Sequence, residues 1–262
     1  MKDLHVFMHI PKCGGLTVRQ YYEKVFENNL TIQANHYPAA DFPKLKNALE
    51  YDAIVGHLPL FRMIENETLV EAIRSDQVRV TIHSIIRDPI DRIISELNFK
   101  RRNPRHPQHK EMQCVDAYSY VKNFQPNYQS RFLSVSDQTD TADQIGLRVN
   151  LVNIQDSVDF FLRYFQSRYP ERQLERAEIF NVTEKQFSKA SQKLLKRDEF
   201  SDDDIAQLQM KAGGDDEFFG TVCSRCGRFD IGDAREFLLQ ELLQFALGAA
   251  SQDFGDKCAA LI

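Results

Sequence analysis

The run Leu4-His5-Val6-Phe7-Met8 has the character of a short buried strand. The next nine residues, His9-Ile10-Pro11-Lys12-Cys13-Gly14-Gly15-Leu16-Thr17, carry it into a helical pattern. A chain that passes from a strand through a glycine pair into a helix start has few options. The turn must be tight, and the unpaired N–H groups of the first helical turn collect just beyond the strand end. Two glycines let an anion approach the backbone closely, and the positive end of the helix dipole favours it there. The position of the lysine narrows the reading. A nucleotide-triphosphate loop has the order G-x-x-x-x-G-K-[ST], with lysine after the glycines. Here Lys12 precedes Gly14 and Gly15, and the other order occurs nowhere in the chain. The loop reads as a cradle for a phosphate-like anion, not as an ATPase loop.

The rest of the chain sets this loop in an α/β pattern. Leu4–Ile10 reads as the first strand. After Thr17, residues Val18, Tyr21, Tyr22, Val25 and Phe26 recur with helical period. Asp52–Gly56 and Val78–Ile86 read as further strands, with Thr68–Arg74 helical between them. Asp88 and Pro89 are good N-cap and first-turn residues for a helix whose apolar face is Ile90, Ile93, Ile94 and Leu97. Arg92 and Ser95 fall together on its opposite, polar side. Tyr118–Leu133 is expected to be helical with a break at Pro126, and Asp156–Tyr169 to be an amphipathic helix. Ala177–Val182 reads as a strand, Thr183 with Gln186 as a capping box, and Ala234–Leu247 as a closing helix. Strands alternating with helices, with no long linker or repeat, imply one α/β domain over residues 1–262 with a mostly parallel central sheet. Ligands in such sheets sit beyond the carboxyl ends of the strands. The lysine loop, Gly56-His57 and Arg87 all follow predicted strand ends, so they are expected to face one crevice.

Composition bounds the partners. A net charge of −5 argues against a surface that grips nucleic acid as a whole. The longest apolar runs are too short to span a membrane and nothing resembles a secretory leader, so a cytoplasmic protein is expected. An excised luminal domain of a Golgi-type membrane enzyme would look the same. Five cysteines are an odd, sparse set unlike a disulfide framework. Cys223-Ser-Arg-Cys226 has the spacing of half a zinc site, but a closed site needs two more ligands and no second such pair follows. Two thiols in a loop or hairpin are expected there, and no metal.

F-M-H-I-P-K-C-G-G-L-T, followed about seventy residues later by I-I-R-D-P-I-D-R-I-I-S, resembles the carbohydrate sulfotransferases that include heparan sulfate 2-O- and 6-O-sulfotransferases. The resemblance covers Leu4 to about Phe99. It implies a P-loop-like three-layer α/β domain with its cofactor motifs in residues 4–99 and a helical, substrate- and cofactor-covering part in 100–262. It implies 3′-phosphoadenosine 5′-phosphosulfate (PAPS) as sulfuryl donor, 3′-phosphoadenosine 5′-phosphate (PAP) as product, no metal, and transfer to a hydroxyl of a carbohydrate or glycoconjugate. By the same resemblance the first motif (Lys12, Cys13, Gly14, Gly15, Leu16 and Thr17) holds the 5′-phosphosulfate. Arg87 and, eight residues on, Ser95 hold the 3′-phosphate. His57 in Gly56-His57 corresponds to the histidine proposed as general base.

These residue types suit the chemistry in their own right. Sulfuryl transfer builds negative charge on the leaving phosphate, so a positioned cation and backbone donors stabilise it. Lys12 supplies the cation. Arginine offers a bidentate fork for a dianionic phosphate and serine adds a donor. A neutral imidazole near pH 7 suits removal of a hydroxyl proton. The chain departs from the family pattern at Cys13 and Leu16, where hydroxyl residues are usual, and so lacks their side-chain hydrogen bonds. A cysteine beside a lysine and a helix N-terminus is also expected to have a lowered pKa. His9 and His83, inside predicted strands, read as structural, and His36 as a second-choice base. The basic stretch Lys100 to Lys110 reads either as a solvated loop or as a contact for an acidic glycan. Asn127, Gln129 and Arg131 resemble a short N-x-Q-x-R stretch of family members near cofactor or substrate. Two other functions remain open: a P-loop-type kinase of a small hydroxylated substrate, and a non-catalytic nucleotide- or glycan-binding protein.

Overall fold

A computed structural model describes residues 1–32, 47–113, 115, 119–120, 128–133, 149–154, 158–175 and 193–226. Five strands, β1 (Lys2–Met8), β2 (Asn29–Ile32), β3 (Ala53–Gly56), β4 (Val78–Ile86) and β5 (Val149–Ile154), form one sheet in the order β2-β3-β1-β4-β5. Every pairing is parallel. The flanking helices are α1 (Gly15–Val25), α2 (Leu60–Ile64), α3 (Glu67–Arg74), α4 (Pro89–Arg102), α5 (His109–Gln113), α6 (Tyr128–Leu133), α7 (Val158–Arg168), α8 (Asp202–Lys211) and α9 (Gly213–Cys226). The α/β class with a parallel sheet between helices is the one the strand–helix alternation implies.

Central β1 is buried on both faces, as a parallel strand between helical layers must be. On one face Phe7 meets Tyr22 of α1 and Phe161 of α7, at ring-centroid distances of 5.4 and 6.0 Å. Tyr22 in turn meets Phe165 edge-on at 5.0 Å. The aromatic-rich core is thus concentrated where α1 and α7 cross the sheet. Leu4, Val6 and Met8 fill the other face and have no exposed surface.

Several boundaries and elements differ from the sequence expectation. β1 ends at Met8, so His9 and Ile10 belong to the loop. The first helix begins at Gly15 and the third at Glu67, where the Asn66 side chain accepts the Leu69 N–H. The basic stretch is not one loop: Lys100, Arg101 and Arg102 are the last turn of α4, and His109 and Lys110 open α5. Lysine and arginine at a helix C-terminus are favoured by its dipole. Cys223 and Cys226 lie on α9, not in a loop or hairpin. Strands β2 and β5 and helices α2, α8 and α9 were not legible from periodicity. The expected strand Ala177–Val182, the Thr183/Gln186 box, helix Ala234–Leu247, Pro126, Asn127 and His36 lie outside the described residues.

Gly56 closes β3 with φ 151°, and a Cβ added there would stand 2.0 Å from the Ile32 carbonyl oxygen. Glycine is therefore required for β2 to pair closely with β3. Gly56→Ala is expected to destabilise the protein by about 3 kcal/mol, from backbone strain and overpacking together, read as a lower urea midpoint at unchanged m.

Candidate functional site

The sheet order places a topological switch point between β1 and β4. The chain leaves β1 toward β2 and β3 on one side and leaves β4 toward β5 on the other, so the loops after β1 and β4 diverge. Such a switch point is where ligands bind in open parallel sheets. Met8 lies level with Gly56 and with Ser84, and the Ser84 hydroxyl donates to the Met8 carbonyl at 2.8 Å. His9 and His57 therefore leave the sheet side by side, with ring centroids 4.4 Å apart.

The cradle itself is built from backbone. Lys12 has φ 71° and Gly14, the N-cap of α1, φ 82°. Glycine adopts this conformation freely, whereas for lysine it costs about 1 kcal/mol. The Cys13 N–H closes a turn onto the Ile10 carbonyl, and the Thr17 N–H returns to Gly14. Gly14, Gly15 and Leu16 thus present the first-turn amides at the mouth of the helix, where intrahelical partners do not exist. Gly15 is fixed by a neighbour: a Cβ there would come within 2.1 Å of the His9 ring. Thr17 is buried beneath the turn, while Leu16 is 42% exposed, so its apolar chain sits at the surface.

Lys12 points its Nζ over the Phe99 ring, 4.3 Å from the centroid, which draws the third turn of α4 to the cradle. Burial, and then the nearby Arg87 charge, push its pKa down to about 8. Arg87, the first residue after β4, directs Nη1 to the Lys12 carbonyl at 3.5 Å. The two motifs separated in sequence are thus in contact. Ser95 lies about two turns into α4 and is partly exposed.

The polar side of α4, where the wheel places Arg92, is covered rather than open to solvent at that residue. Arg92 is fully buried, with its guanidinium 4.6 Å from the Tyr128 ring centroid and Nη1 2.9 Å from Glu96. Lys100 reaches the other Glu96 oxygen at 2.6 Å. Helix α6 covers this polar side, and only a charge paired in this way is tolerable there.

Cys13 also departs from expectation. It is buried, and burial pushes the thiol up to about 12, outweighing the cations beside it. A neutral thiol that lines the cradle is what remains. Its Sγ–H donates to Gln129 Oε1 at 3.2 Å. Gln129 lies on α6, and its backbone N–H and that of Ser130 donate to the Asp215 carboxylate of α9 at 2.9 and 2.7 Å. Sequence reasoning passed over Asp215, Phe99 and the contact role of His9; of these, only the acidic start of α9 left any trace in the sequence.

His57 accompanies the cradle from the β3 side. Its pKa is pushed down to about 4, first by burial and then by Arg19. Its Nδ1 is buried without a hydrogen-bond partner among the described residues. Beneath it His9 is held well below the ordinary histidine range by burial and by His57. Both rings are neutral at pH 7. Among the described residues no group of three or more histidine, cysteine, aspartate or glutamate side chains is placed to hold a metal ion.

Fold and site define a parallel α/β protein with a glycine-pair loop, Lys12 and Arg87 brought together at its topological switch point. No protein-family model and no curated protein matches the sequence. Among solved structures the chain is similar to mouse sulfotransferase SULT7A1 complexed with PAP, at 14% identity and a TM-score of 0.40, over 83% of this chain. It spans 65% of that chain's length. It is similar also to a fungal RNA kinase, at 15% identity and a TM-score of 0.40, over 74% of this chain and 99% of that one. No described helix is long and apolar enough to cross a membrane.

Proposed function

We propose that the protein is a cytoplasmic sulfotransferase that moves a sulfuryl group from PAPS to a hydroxyl of a carbohydrate or glycoconjugate. The observation that carries this reading is the meeting of Lys12 and Arg87 at one crevice, with lysine ahead of the glycines. The donor set suits the group: glycine at positive φ, first-turn amides, an ammonium and a guanidinium are what two separate anionic ends require. Lys12 and the backbone of Cys13, Gly14, Gly15, Leu16 and Thr17 would hold the 5′-phosphosulfate. Arg87 and Ser95 would hold the 3′-phosphate. When bound, PAPS supplies the sulfuryl group and a phosphate leaving group.

The chain's own part is positioning, charge and one proton. His57 is unprotonated at pH 7, and with Nδ1 buried its Nε2 is the nitrogen available to an acceptor hydroxyl. A base of pKa about 4 is weak, so it accepts the hydroxyl proton only as that oxygen becomes acidic. His9, tilted against it and wedged against Gly15, keeps the base in register with the cradle.

Calorimetry tests the ligand: PAP is expected to bind more tightly than ATP with magnesium, and the reverse order overturns the reading in favour of a kinase. Transfer of labelled sulfate from PAPS to a panel of glycans tests the reaction. In that assay His57→Ala is expected to lower kcat by about 100-fold or more, with PAP affinity within about threefold of the parent. Undiminished turnover removes His57 from its role, and absence of transfer to any acceptor in the parent leaves a binding protein.

A further inference from the structure

The side chain of Gln129 makes three hydrogen bonds to the two loops that carry the anion-binding residues. Its Oε1 accepts from the Cys13 thiol at 3.2 Å and from the Arg87 backbone N–H at 2.9 Å, and its Nε2 donates to the Arg87 carbonyl at 2.8 Å. The residue is buried, with 1% exposure. Only a primary amide fits all three partners, since it combines an oxygen with two lone pairs and an N–H donor on one rigid plane. A carboxylate cannot donate to Arg87, and an apolar side chain would leave buried backbone groups of Arg87 unsatisfied. Behind it, Asp215 of α9 takes the N–H of Gln129 and both the N–H and hydroxyl of Ser130. It thereby caps the start of α6 from another part of the chain, as the orphan amides of a helix start require.

We infer that Gln129 is a positioning residue that holds the loops after β1 and β4 at a fixed separation, and that Asp215 fixes Gln129 in turn. The reason such a device matters is geometric. Lys12 and its amides sit on one loop and Arg87 on the other, and a ligand with phosphates at both ends gains from both only if their spacing is set beforehand. Each end then binds the second at high effective concentration. Gln129 bonds the backbone of Arg87 and the Cys13 thiol, so it sets where the two loops stand and acts on neither charged group directly. Its loss therefore acts on a two-ended ligand and spares a one-ended one. A residue that merely supports the fold would weaken both alike.

The ligand arm of the test rests on the sulfotransferase reading; the exchange arm does not. In the first, PAP, adenosine 5′-phosphate and adenosine 3′-phosphate are titrated into the parent, Gln129→Ala, Gln129→Glu and Asp215→Asn. Gln129→Ala is expected to weaken PAP about 30-fold while each monophosphate stays within about threefold. Gln129→Glu and Asp215→Asn are expected to show the same selectivity at smaller size, and serve if the alanine variant does not fold. An equal loss for all three ligands, or unchanged PAP binding, overturns the inference. In the second arm, amide exchange at Arg87 is expected to quicken at least about 100-fold in Gln129→Ala, which removes the acceptor of that N–H, with the interior of β4 unchanged. Alkylation of Cys13 is expected to quicken with it. Unchanged exchange at Arg87 overturns the inference even if the parent prefers no two-ended nucleotide, a result that would separately defeat the sulfotransferase reading.

Discussion

Lys12→Met is expected to lower kcat/KM for sulfuryl transfer by about 1,000-fold and to weaken PAP by at least about tenfold, because a buried cation is lost where charge develops. Methionine keeps much of the chain length and its contact with Phe99, so the charge is what changes. The pH dependence gives an independent reading. Lys12 titrates at about 8 in the free protein, so anion affinity is full below that value and falls as pH rises through it. A bound anion favours the charged form and raises this pKa, so binding at about pH 8.5 must take up a proton. Calorimetry in two buffers of different ionisation enthalpy measures that uptake, and it is expected to vanish in Lys12→Met. Backbone strain separates function from fold. At φ 71° glycine is preferred to lysine by about 1 kcal/mol, so Lys12→Gly is expected to lose affinity without losing stability. Full affinity in Lys12→Met, or no proton uptake by the parent, would refute the assignment of Lys12 to the anion.

What the sequence made legible follows from the range of the signals. The cradle was readable because strand, glycine pair and helix are contiguous, and each leaves a local mark. The link from Lys12 to Arg87 was reachable because both sit at strand ends, and parallel strands put all their ends on one side of the sheet. Arg92 shows where this fails. The wheel places it correctly opposite Ile93 and Ile94, but the ring that buries it belongs to Tyr128, far along the chain. Cys13 fails in the same way. Its sequence neighbours would lower its pKa, while the burial that raises it comes from tertiary packing. Strand β2 is four residues long, too short for an alternating pattern to stand out. Helix α9 begins with two glycines, poor helix formers, and is secured by packing and by the contact of Asp215 with α6. Long-range partners decided each missed feature, and a single sequence carries no local signal of them.

The largest effect on stability is expected from acid. His5, His9 and His83 are buried neutral, with His5 pushed down to about 4 and His83 to about 3 chiefly by burial, and His9 well below its ordinary value. Two of them are held through tyrosine hydroxyls, His83 Nδ1 by Tyr22 at 2.5 Å and His5 Nε2 by Tyr169 at 3.2 Å. The sign follows from linkage. Between the ordinary value of 6.5 and these lowered values the unfolded chain binds more protons than the folded one, so stability is full above 6.5 and drains as pH falls. At about pH 5 His5 and His83 have each removed about 2 kcal/mol, and His9 acts in the same direction; this is a large share of the 5–15 kcal/mol typical of a folded domain. The protein is therefore expected to lose stability steeply as pH falls toward about 5, with a slope of at least about 3 kcal/mol per pH unit. Urea titrations at a series of pH values measure this slope directly. His83→Gln keeps a polar partner for Tyr22, and it is expected to reduce the slope by one proton while costing some stability at neutral pH. An unfolding free energy independent of pH between 7 and 5 would contradict the burial of these rings. The same argument fixes the acid side of catalysis. Activity should hold through pH 6.5, where an ordinary histidine base would titrate, and end only where the fold does, because His57 remains neutral throughout that range.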